Sequence, residues 1–88
     1  MPFVALAEAL AAELGRGDRD LQLSLSRALV SLGHAAAQAL AEAALSGDPH
    51  VSAHAIATER LLADPDEGFD SALFEAKRFI ALSATPRD

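Results

Sequence analysis

Residues 9–32, ALAAELGRGDRDLQLSLSRALVSL, and residues 39–62, ALAEAALSGDPHVSAHAIATERLL, are two copies of one pattern. Ala9, Leu10 and Ala11 correspond to Ala39, Leu40 and Ala41. Gly17 corresponds to Gly47, Asp18 to Asp48, Leu21 to Val51, Leu25 to Ala55 and Leu32 to Leu62, all at one offset without a gap. A fixed period of this size points to stacked helical pairs, each burying its apolar face against the next. It favours a protein that presents a surface over an enzyme built round a single cleft.

Turn signals on either side of the copies delimit five helices. The first covers about 2–14, with Pro2 suited to the first turn and Phe3, Leu6, Leu10 and Leu14 on one face. Gly15 and Gly17 stop it, and Asp18 or Asp20 caps the second helix. That helix runs to Leu32 with Leu21, Leu25, Ala28, Leu29 and Leu32 inward, and Gly33 ends it. The third, about 35–46, is nearly all alanine and leucine and is expected to be the most buried. Gly47-Asp48-Pro49 opens the fourth, 49–63, with Val51, Ala55, Thr58 and Leu62 on one stripe and Ile56 and Leu61 beside it. After Asp64-Pro65-Asp66-Glu67-Gly68, the fifth covers about 70–82 with Leu73, Ala76, Phe79 and Ile80 inward. Phe69 reads as a hydrophobic staple ahead of the cap, and residues 83–88 as a frayed tail. The short links set neighbouring helices antiparallel.

Composition agrees with helix. Of 88 residues, 51% are hydrophobic and 21 are alanine, a strong helix former that leaves a thin core between closely spaced helices. The only aromatic residues are four phenylalanines. A net charge of −6 argues against nucleic acid and anionic membrane surfaces, both of which are met with Lys and Arg. It permits a basic protein partner, and otherwise simply keeps an apolar chain soluble. The absence of cysteine excludes disulfides, thiol catalysis and Cys-ligated zinc. Met1-Pro2-Phe3-Val4 does not read as a signal peptide, and the uncharged run from Ala28 to Ala41 is too short and mixed to span a membrane. A cytoplasmic location is the expectation.

The run Asp48-Pro49-His50-Val51-Ser52-Ala53-His54-Ala55, ending at Leu61-Leu62, resembles HEAT-type repeats, in particular the short repeats of phycobilisome-lyase-like proteins. The earlier copy is Asp18-Arg19-Asp20-Leu21, ending at Leu29-Val30-Ser31-Leu32-Gly33, and the resemblance covers about residues 3–64. It implies an all-α single domain over 1–88, with about five helices as antiparallel pairs, arranged as a HEAT-like right-handed stack or a compact bundle. Where that family usually carries arginine after the valine, this chain has Gln22 and Ser52. The polar link that the arginine makes between repeats is therefore expected to be missing.

Candidate chemistry is sparse. His50 and His54 share a helix face, but zinc needs further ligands; Glu59 lies on another side and His34 at a helix junction. The iron-binding HEAT-like hydroxylases use His-Glu dipeptides, and this chain has none. The histidines read as solvent-facing residues near a helix start. Asp64, Asp66, Gly68, Asp70 and Glu75 have some of the spacing of a calcium loop, but Phe69 stands where that loop needs glycine. They read as caps and exposed helix residues. Arg16-Gly17-Asp18 is accounted for by the repeat. No nucleophile elbow or phosphate-cradling loop is present, and the basic groove of HEAT-like DNA glycosylases is lacking.

The expected function is a non-enzymatic protein–protein interaction module, without metal or cofactor, that acts as adaptor, scaffold or regulatory subunit and takes a protein partner or a second copy of itself. Apolar strips at its ends would bind: Phe3, Val4 and Leu6 at one, Leu73, Phe74, Phe79 and Ile80 at the other. The alternative is that these side chains complete the core. A second functional reading is a short acidic inhibitor, immunity or anti-defence protein whose Asp64, Asp66, Glu67 and Asp70 block a basic surface.

Overall fold

Asp18 and Asp48, equivalent in the two copies, do the same work. The Asp18 carboxylate accepts from the Leu21 N–H at 2.9 Å and that of Asp48 from the His50 N–H at 2.9 Å, each satisfying a donor that the first turn leaves unpaired. The helices they cap begin at the next residue. In a computed structural model describing residues 2–84, the chain forms α1 (Pro2–Ala11), α2 (Arg19–Leu32), α3 (His34–Ala44), α4 (Pro49–Ala63) and α5 (Phe69–Ala84), with no strand among the described residues. The fold is all-α, and none of these helices is long and apolar enough to cross a membrane.

Two ends fall short of expectation for one reason. Beyond Ala11 the backbone tightens, with the Glu13 and Leu14 N–H groups bonding to Leu10 and Ala11 carbonyls at 3.1 Å. Beyond Ala44, Leu45 and Ser46 do likewise to Glu42 and Ala43. Such three-residue closures satisfy the last carbonyls of a helix. They carry Leu14 into full burial although it is no longer in α1. At the other end of the chain, α5 continues through residues 83 and 84, which the sequence suggested were frayed; 85–88 lie outside the described residues.

The helices enclose two cores. Ala7, Ala11 and Leu14 meet Leu25 and Leu29 of α2, Ala36, Ala39 and Leu40 of α3, and Ala55 of α4. On the other side of α4, Ala53, Ala57 and Leu61 meet Phe69, Ala72 and Ala76 of α5, with Leu23 and Val30 of α2 along the edge. α4 therefore lies between the cores, in contact with α2, α3 and α5. It is α4, not the alanine-rich α3, that is most buried. A helix enclosed on two sides favours small side chains, and Ser52, Ala53, Ala55, Ala57 and Thr58 are all buried, together with the larger His54 and Leu61. In α3 only Ala36, Ala39 and Leu40 are.

Small residues also displace the expected inward faces of other helices. α1 packs through Ala7 and Ala11, leaving Phe3 and Leu6 outside. Phe79 is exposed too, while Phe69, expected as a staple, is a core residue. Leu21 stays at the rim, where its methyl comes within 2.7 Å of the point a Cβ on Gly17 would occupy.

The position after each cap-and-leucine or valine signal is not without a polar link. Gln22 is buried; its Oε1 accepts from the Gly15 N–H at 2.7 Å, and its Nε2 donates to the Glu13 carbonyl at 3.2 Å and to that of Arg16. Its counterpart Ser52 donates to the Ala44 carbonyl at 2.7 Å. Both fasten a helix to the end of the one before it. A further bond crosses between the copies. The Thr58 hydroxyl donates its one proton to the His54 carbonyl at 2.8 Å, so Ser26 is the donor in the fully buried 2.8 Å contact of Ser26 with Thr58.

In chemical denaturation, Ser26→Ala or Thr58→Val alone is expected to destabilise the fold by roughly 1–3 kcal/mol, and the pair together by less than the sum, by at least about 0.5 kcal/mol. Strict additivity would mean that the two hydroxyls do not interact. Gly15 has φ +82°, and a Cβ there would lie 2.8 Å from the Val51 nitrogen and 2.9 Å from the His50 carbonyl carbon. Gly15→Ala should cost at least about 1–3 kcal/mol, whereas Gly47→Ala, which meets nothing within 4 Å, should stay within about 1 kcal/mol of wild type.

Candidate functional site

Because α1 and α5 turn their alanines inward, their large apolar side chains face out. Phe3 is 58% exposed, with Val4 and Leu6 beside it; on α5, Phe74 is 65%, Phe79 60% and Leu82 67% exposed. Leu73 and Ile80 are half-buried against the second core and contribute to it. The expected strip on α5 is thus divided: Phe74 and Phe79 are outside, Leu73 and Ile80 largely inside. Leu82, and Leu45 in the α3–α4 link, are exposed apolar residues that sequence periodicity did not single out.

The four expected acidic residues are not equivalent. Asp70 forms a two-pronged pair with Arg19, Nε to Oδ1 at 2.9 Å and Nη2 to Oδ2 at 2.6 Å. Glu67 does the same with Arg60, at 3.1 and 2.7 Å. Hydrogen bonding to these guanidiniums holds both carboxyls below their ordinary range. Asp64 ends α4 and accepts from the Asp66 N–H at 3.2 Å, folding its charge onto its own loop. Asp66 is exposed. Asp70 is therefore a partner of α2, not the cap that its position suggested. Arg19 was not singled out because its partner lies 51 residues away. In the same region Phe69 is buried and α5 has already begun, so the open loop a calcium ion requires is not formed.

The Arg19–Asp70 pair lies at the edge of two depressions. One, of about 560 Å³, runs between α2 and the start of α5 and is lined by Leu23, Arg27, Val30, Leu61, Gly68 and Phe69 among others. Arg19 stands 5.8 Å from the Phe69 ring centre on one side of it. The other, of about 470 Å³, includes Gly15, Gly17, Gln22, His50, His54 and Lys77.

His50 and His54 are not a matched solvent-facing pair. His50 is exposed, but His54 is buried, with its ring 6.4 Å from that of Phe69 and Nδ1 2.8 Å from the His50 carbonyl. Burial lowers the pKa of His54, and the charges of Lys77 and His50 lower it further against the opposing carbonyl bond. Among the described residues no three His, Asp or Glu side chains are grouped to hold a metal ion. On the far side of α4, burial raises the Glu59 carboxyl.

Comparison with protein-family models, with curated proteins and with solved structures finds no match to this chain.

The neutral form of His54 is favoured by folding, so the unfolded chain takes up its proton first as pH falls. The melting temperature should be constant above the ordinary histidine range and decline as pH drops below 6.5. His54→Gln should flatten that decline between pH 7 and 5; an unchanged profile would remove His54 from the account.

Proposed function

We propose that this chain is a non-enzymatic protein–protein interaction module built on HEAT-like helical pairs. The observation that carries the reading is the outward placement of Phe3, Leu6, Phe74, Phe79 and Leu82 on α1 and α5, helices whose inner faces are already filled. Exposed apolar side chains of this size gathered on two helices mark contact sites, since large aromatic side chains supply most of the affinity at such surfaces. The repeat supports the HEAT-like description: corresponding Asp caps, and corresponding Gln22 and Ser52 links between successive helices.

The acidic-inhibitor reading has less support. A carboxylate bait needs charges free to meet a partner's cations, and Glu67 and Asp70 are already neutralised by Arg60 and Arg19.

The test uses the wild-type chain and a Phe74→Ser/Phe79→Ser variant as baits in native lysate. Wild type should retain a stoichiometric protein, or a second copy of itself, at high salt. The variant should lose it with an unchanged melting temperature, because both residues are outside the core. Equal retention by both baits, or none by either, would count against the reading.

A further inference from the structure

We infer that the occupant of the α1 and α5 surfaces is a second copy of this chain, docked head to tail, α1 of one molecule on α5 of the next. The inference rests on the interaction-module reading and names its partner.

The exposed charges beside the α1 surface and beside Phe74 of α5 are of opposite sign. Residues 2–14 carry Glu8 and Glu13 and no cation. Val4 stands one helical turn before Glu8, and Leu6 is followed by Glu13 in the closing turn. On α5, Phe74 is followed at three and four residues by Lys77 and Arg78, which a helix places on either side of it, while the half-buried Glu75 stands one turn before Phe79. Glu8, Glu13, Lys77 and Arg78 are all exposed, and among the described residues none of the four is in an ion pair. An α1–α1 contact would bring carboxylates together, and an α5–α5 contact centred on Phe74 would bring Lys77 and Arg78 of both copies together. The mixed contact joins apolar surface to apolar surface with the α1 carboxylates opposite the cations beside Phe74, an arrangement that selects register and partner.

α1 packs on α2 and α3, and α5 mainly on α4, along a body 47 Å long and 24 Å across. A contact between two different patches on one molecule generates a chain of copies unless its rotation closes a ring.

Sedimentation of purified protein tests this. The average mass of wild type should rise with concentration past twice 9.1 kDa. Leu6→Glu disables the α1 surface and Phe74→Glu the α5 surface; each variant alone should be monomeric, and their equimolar mixture should form a dimer, because one intact surface of each kind remains. Helicity and melting measurements confirm that each variant folds. The independent arm reverses charge: Lys77→Glu/Arg78→Glu should weaken association by at least about tenfold, and mixing with Glu8→Lys/Glu13→Lys should restore it. Wild type that stays monomeric, single variants that still self-associate, or a mixture that does not pair overturns the inference. If wild type is monomeric yet retains a Phe74-dependent protein from lysate, the self-docking fails and the interaction-module reading stands. If neither occurs, both fail.

Discussion

The enclosure of α4 between two cores is the constraint from which the rest follows. A helix with neighbours on opposite sides must be narrow on both, and the chain meets this with alanine, serine and threonine where single-sided helices carry leucine. Narrow helices approach closely but bury little apolar area per residue. Apolar contact alone is thus a weak specification of register. The buried polar bonds compensate for this. Ser26 to Thr58 fixes α2 on α4, Gln22 holds the α1–α2 loop, and Ser52 holds the start of α4 to the end of α3. Each such bond is modest when made and costly to leave unmade, so a shifted helix is penalised.

The same economy of space decides what lies outside. A chain that fills its contacts with alanine has no interior room for four phenylalanines. One, Phe69, enters the second core where α5 begins; Phe3, Phe74 and Phe79 remain on the surface. The exposed aromatics are therefore a consequence of how the interior is built, and their confinement to α1 and α5 follows from those two helices lying outside the α2–α3–α4 contacts. The face of α4 that α5 covers, with Leu23 and Val30 of α2 at its edge, is in turn closed to other proteins by the chain's own last described helix.

Much of this was legible in the sequence. The turn signals placed the starts of α2 and α4, because a cap is a local device read from a few adjacent residues, but they left Asp18 and Asp20 open as the cap of α2, which the structure assigns to Asp18. Helix content followed from alanine and leucine. The inward faces were less legible. Hydrophobic periodicity weighs leucine and phenylalanine above alanine, so it turned Phe3, Leu6, Leu21 and Phe79 inward, where close helix approach selects the smaller residue. The centrality of α4 was hidden for the same reason: its buried face contains serine, threonine and histidine, whose burial depends on partners supplied by α2, α3 and α5. The pairing of Arg19 with Asp70 joins distant segments, and no short-range pattern announces it. Of the candidate surface, sequence singled out the phenylalanines and the acidic loop but not the division of Leu73 and Ile80 from Phe74 and Phe79.

A net charge of −6 on each molecule bears on any association of like copies. Two such molecules repel at long range, while the carboxylates of α1 and the cations of α5 attract at short range. Added salt screens both effects within about a Debye length, ~10 Å at 0.1 M, so its net influence on self-association combines terms of opposite sign and does not isolate the rim charges. Reversing Lys77 and Arg78 makes each molecule more acidic and so strengthens the global repulsion; reversing Glu8 and Glu13 does the opposite. Mixing the two reversed variants returns the average net charge of the pair to that of two wild-type molecules. Each reversed variant alone sets like signs face to face, whereas in the mixture both α1–α5 contacts join opposite signs: the cations placed on α1 meet the carboxylates placed on α5, and the native carboxylates of α1 meet the native cations of α5. The local term is then separated from the global one, and that separation is what a specific docking of α1 on α5 demands.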